Sequence, residues 1–126
     1  MAYLLRPYAA PRKTELTPRE IQHLERHFAA DSIEINIDGE PIDYGHIDEV
    51  EVAQAARVSA LSGWLVKNLF YGGERYHVGV YFGRGELVLP NLTLNAAKYV
   101  VQIIAYYSHK PIRYTGPDGL SPLSED

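Results

Sequence analysis

Arg75-Tyr76-His77-Val78-Gly79-Val80-Tyr81-Phe82 opens the stretch 75–110, whose reading decides the fold. Apolar and polar residues alternate through it, as a strand with one buried face requires. Gly83-Arg84-Gly85 turns the chain, and Glu86-Leu87-Val88-Leu89-Pro90 brings it back as the second arm of a hairpin. A helical pattern then runs over 93–108. At 100° per residue, Ala97, Val100, Val101, Ile104 and Tyr107 form one stripe, with Leu94 and Ala105 on its margin. Tyr99, Ile103 and Tyr106 fall on the opposite side, with Asn95, Lys98 and Gln102 in the gap between. One apolar stripe is enough to cover a sheet. A second one calls for cover from elsewhere in the chain or from a second copy.

Upstream, Thr17-Pro18-Arg19-Glu20 is a capping box, with Pro at the first helical position and Leu16 and Ile21 placed as a hydrophobic staple. Ile21, Leu24 and Phe28 share one stripe, which predicts a helix from Pro18 to near Asp31. Ile33, Ile35 and Ile37 alternate with Glu34 and Asn36 as a half-buried strand, and Asp38-Gly39 supplies a tight turn. Pro41 to Tyr44 returns briefly, Gly45-His46 breaks the run, and Val50 and Val52 point inward from a further strand. The apolar run 63–71, closed by Gly72-Gly73, fits either a core strand or a projecting loop. In the second case Trp64, the one tryptophan, would anchor a partner or a membrane surface. The basic, proline-containing segment 1–14 reads as an arm or edge piece, 15–114 as one domain, and 115–126 as a tail that is flexible unless docked.

Composition narrows the chemistry. A chain of 126 residues buries roughly two-thirds of the surface it would expose unfolded, so one hydrophobic core suffices. There is no cysteine, which removes disulfides, thiolate metal sites and cysteine nucleophiles and fits a reducing compartment. The opening apolar run is broken by Arg6 and Pro7, too short for a signal peptide, and no stretch approaches the ~18 apolar residues of a spanning helix. A cytoplasmic protein is therefore expected, with peripheral membrane contact through 64–71 only as a third and weaker reading. The charge of −4 is unevenly spread: 15–51 holds eleven acids against two bases, and 57–113 holds seven bases against two acids. Pairing between neighbouring strands explains such a split, as do complementary faces on two protomers.

Candidate sites are few. His23 and His27 have metal-compatible spacing on a helix, but zinc needs three or four converging ligands and no third stands near, so no metal is expected. Asp43, Asp48, Glu49 and Glu51 lack the spacing of a calcium loop and read as a solvated strand face. The glycines at 79, 83 and 85 belong to a hairpin, not to a phosphate cradle at a helix start. The tyrosines do not line a basic groove, and the chain is acidic, so nucleic acid is not a partner. No serine elbow is present. His77 with Tyr81 and Glu86 is the nearest thing to a reactive constellation.

Ile42-Asp43-Tyr44-Gly45-His46-Ile47-Asp48-Glu49-Val50-Glu51-Val52, followed by the hairpin through Phe82 and Leu89 and the helix from Thr93, resembles bacterial pleckstrin-homology-like domains over about 33–108. The resemblance implies a split barrel closed by a helix, no catalytic set, and a role in binding or assembly. The capped helix before the first strand departs from that pattern. Together these observations imply an α+β fold: an antiparallel sheet or split barrel with an N-terminal helix and a long C-terminal helix packed on it. They imply a non-catalytic interaction module without cofactor, associating with itself or a protein partner through Tyr99, Ile103, Tyr106 and Trp64. The alternative is a small-ligand-binding protein or enzyme whose pocket, between sheet and helix, is lined by Tyr76, His77, Tyr81 and Tyr107.

Overall fold

The computed structural model describes residues 2–5, 13, 16–54, 75–108, 110 and 112–116. In chain order they form β1 (Ala2–Leu5), α1 (Pro18–Glu25), β2 (Phe28–Ala30), β3 (Glu34–Ile37), β4 (Glu40–Asp43), a 3-10 turn (Tyr44–His46), β5 (Ile47–Gln54), β6 (Tyr76–Phe82), β7 (Gly85–Leu92), α2 (Leu94–Ser108) and β8 (Ile112–Thr115). The fold is α+β, with a sheet packed against a helix. One sheet has the order β1-β8-β5-β6-β7 and the other the order β2-β3-β4. Every pairing is antiparallel except β5 with β8, which makes the larger sheet mixed. β8 follows α2, and the helix returns the chain to the far side of β5, as a parallel pair needs a long crossover.

The hairpin and the long helix stand where periodicity puts them. Val78 and Val80 on β6, Leu89 on β7, Val50 and Val52 on β5, and Ile112 and Tyr114 on β8 are buried on one face of the larger sheet. α2 lies on that face, with Ala97, Val100, Val101 and Ile104 fully buried. Leu94, expected on the margin of this stripe, is 46% exposed. Asp38 (φ 52) and Gly39 (φ 89) form the left-handed turn between β3 and β4, where Asn36 Oδ1 accepts the Gly39 amide at 2.8 Å.

Two expected elements end elsewhere. The first helix stops at Glu25, not near Asp31. Its last turn tightens as the His27 amide donates to Leu24 O at 3.0 Å. His27 O then accepts the Asp38 amide, and Phe28 enters β2 opposite Ile37. Phe28 keeps its place in the core, so one buried position satisfied both the helical pattern and the strand that tertiary pairing selects. Ile33 is not a core residue: it is 65% exposed. Asp31 Oδ1 accepts the amides of Ile33 and Glu34 at 2.7 and 2.9 Å, and this side-chain turn shifts the start of the strand to Glu34. Residues 63–71, with Trp64, and most of the two terminal segments lie outside the described residues. Ala2–Leu5, within the expected arm, is the edge strand beside β8.

Candidate interaction surface

α2 is anchored at its N-terminal end by polar bonds. The Thr93 side-chain oxygen accepts the Ala96 amide at 3.2 Å, and its hydroxyl donates to Glu20 Oε2. The other oxygen of Glu20 accepts the Thr17 amide at 2.8 Å and closes the capping box of α1. One carboxylate thus ties the starts of both helices. Burial raises the Glu20 pKa, but the bonds from Thr17 and Thr93 and the charge of Arg75 outweigh it, leaving the group below its usual value.

The C-terminal end is finished by rings. Tyr107 packs on Tyr44 at 5.5 Å between centroids, and Tyr106 meets Tyr107 edge-on at 4.9 Å. Tyr44 is buried, and its hydroxyl donates to Asp31 O at 2.7 Å. Burial is the main reason that its phenol is pushed well above the ordinary tyrosine range. Tyr107 is half-buried and Tyr106 is 37% exposed, so the three rings step from core to solvent. Beside them Lys110 Nζ donates to Gly45 O at 2.7 Å.

The face predicted for association is therefore divided. Ile103 is only 6% exposed, because the rear of α2 is partly covered by the chain itself, with α1 packed against the helix. Tyr99 is half-buried near Lys13 and Glu25, and burial raises its pKa. Tyr106 alone of the three presents a large open surface.

The residues proposed for a pocket are not brought together. Tyr76 shares the core face of β6 with Val78 and Val80, whereas His77 and Tyr81 point from the opposite face. On that outer face Tyr81 lies over Gly79, and its hydroxyl donates to Glu51 Oε1 at 2.7 Å. The bond to Glu51 is the main reason that the Tyr81 phenol is pushed far up, with Glu86 adding to it. Arg113 reaches Glu49 across the parallel pair at 3.4 Å, so strand pairing does join the acidic and basic halves here.

The other acids also have structural partners. Asp43 Oδ1 accepts the Gly45 amide, and Asp48 Oδ2 accepts the Gly83 amide of the β6–β7 turn, both at 2.8 Å. The rings of His23 and His27 are 6.3 Å apart. His27 Nδ1 lies 2.6 Å from Asp38 Oδ1, and no group of three metal-ligating side chains occurs among the described residues. No described helix is long and apolar enough to cross a membrane. Two participants were not singled out from sequence. Glu20 was recognised as a cap, but Thr93 lies 73 positions away. Tyr44 gave no local sign of supporting Tyr107. Comparison with family models, with curated proteins and with solved structures finds no match to this chain.

Proposed function

We propose that this chain is a non-catalytic, cytoplasmic interaction module that associates with a second copy through the outer side of α2, with Tyr106 as the anchor. The observation that carries the reading is the stack of Tyr44, Tyr107 and Tyr106. A tyrosine already held by a ring beneath it loses little side-chain freedom on binding, and tyrosine is among the residue types that dominate interface energies. Charge favours a second copy as the partner. Residues 28–43 carry five acids and no Lys or Arg, whereas α2 and its C-terminal end carry Lys98 and Lys110. A two-fold arrangement can set the acidic small sheet of each protomer against the basic side of the other's helix. The non-catalytic reading is supported by the carboxylates of β5, which bond to a turn amide, an arginine and a tyrosine instead of converging on open space. Kinship with pleckstrin-homology-like domains is part of the same proposal. It is supported by the small antiparallel sheet followed by a larger sheet covered by a helix, while β8 lies beyond the stretch that carries the resemblance.

Light scattering after gel filtration, over a range of loading concentrations, tests this reading. The expected result is a concentration-dependent dimer that Tyr106→Glu converts to monomer with an unchanged circular dichroism spectrum. A protein that stays monomeric when concentrated, or a dimer indifferent to Tyr106→Glu, overturns it. Ile103→Glu is unsuitable for the purpose, since it would place a charge in the core.

A further inference from the structure

β6 and β7 fall out of step once. Tyr76 lies opposite Leu92 and Val78 opposite Leu89, so β7 carries one extra residue between these pairs. Asn91 absorbs the irregularity at φ 58, the left-handed region that asparagine tolerates better than most residues. Its backbone amide donates to His77 Nδ1 at 3.2 Å. A backbone amide can only donate, so Nδ1 must offer a lone pair, and the proton of the neutral ring sits on Nε2.

We propose that His77 is a proton-sensitive latch on this bulge, holding Asn91 when neutral and releasing it when protonated. An imidazolium carries N–H on both ring nitrogens. The amide and the ring would then turn two donors toward each other, and the bond is lost. Asn91 stands two residues before Thr93, whose hydroxyl links the start of α2 to Glu20. Protonation therefore loosens the joint between an edge strand and the long helix.

Among the described residues, the ionisable groups around the ring are few. On the outer face Ala53 of β5 is directly opposite and Glu51 is the next outward residue of that strand. On β6, Tyr81 bonds to Glu51, and Arg75 immediately precedes the strand. On β7, Glu86 lies opposite Tyr81. The sign for His77 follows from the bond: the latch is closed while the ring is neutral and is lost as pH falls.

Nuclear magnetic resonance of the whole chain tests this at about pH 7.5 and about pH 5, on either side of the histidine range. The ring nitrogens of His77 should show the Nε2–H tautomer at the higher pH. Exchange protection of the Asn91 amide, corrected for intrinsic rate and referenced to Val80, should fall roughly fivefold at the lower pH, the loss of one ordinary hydrogen bond. In His77→Asn the amide oxygen can replace Nδ1 as acceptor and does not titrate, so protection should hold at both pH values. An Nδ1–H tautomer, unchanged protection in the wild type, an equal fall at Val80, or the same fall in His77→Asn overturns the proposal.

Discussion

The two ends of α2 are finished by opposite chemistry. At the N-terminal end bare amides need acceptors: Thr93 accepts the Ala96 amide and donates its own hydroxyl to Glu20, in bonds that close within the chain. At the C-terminal end Tyr107 and Tyr44 fill the space with rings, and Ser108 Oγ lies 3.0 Å from Lys110 O and 3.2 Å from Ala105 O. A closed hydrogen-bond network has few open valences for a partner. A ring stack fills its own space and still leaves a face toward water, so on the proposed reading the aromatic end is the one suited to association. The proposed reading places stability at one end and contact at the other, which makes it open to attack by mutation.

The middle of the helix supplies the scale. Ile104 is fully buried between the two ends, and Ile104→Ala should lower unfolding free energy by about 2–5 kcal/mol in urea titrations. A loss under about 1 kcal/mol would mean that α2 does not pack on the sheet as described. Next comes Glu20→Ala, with an expected loss of roughly 1–3 kcal/mol because its bonds to Thr17 and Thr93, at the starts of both helices, go at once. In a double-mutant cycle with Thr93→Ala the coupling should exceed about 0.5 kcal/mol, and simple additivity would separate the two caps. The Glu20 pKa is lowered in the folded chain from its ordinary 4.5. Its contribution is therefore complete above that value and disappears as pH falls through the lowered one. Acid titration of the Glu20→Gln variant should lack that part of the decline. Tyr44→Phe should cost about 1 kcal/mol, one hydrogen bond to Asp31 O, with the ring contact to Tyr107 retained.

What was legible in the sequence was whatever depends on neighbours in the chain. The capping box, the Asp38-Gly39 turn, the β6–β7 hairpin and the inner stripe of α2 are set by local spacing, and they stand in the structure as expected. Phe28 misled because helix and strand both bury that position, and the choice was made by Ile37, nine residues on. Ile33 misled because the side chain of Asp31 redirects the backbone before alternation begins. The rear of α2 reads as too apolar for water, yet a pattern does not say what covers it. For Ile103 the cover comes from within the chain, whereas Tyr106 meets Tyr107 edge-on and stays 37% exposed. His77 and Tyr81 were grouped with Tyr76 and Tyr107 by composition, whereas alternation within one strand already separates 76 from 77.

The smallest expected effect is the most discriminating. Tyr106→Ala removes a ring that is 37% exposed and touches Tyr107 edge-on. An edge-to-face pair contributes about 0.5–1.5 kcal/mol when sheltered, and solvent on the open side places this one at the lower end. A stability loss near 0.5 kcal/mol in urea titration is therefore expected, well below that of Glu20→Ala. Association should show the reverse order. At concentrations where both variants are folded, Tyr106→Ala should sediment as monomer, while Glu20→Ala should still dimerise. If Tyr106→Ala lowers stability as much as Glu20→Ala and leaves association intact, the aromatic end is a packing element like the polar one. The proposed association would then have lost the surface assigned to it.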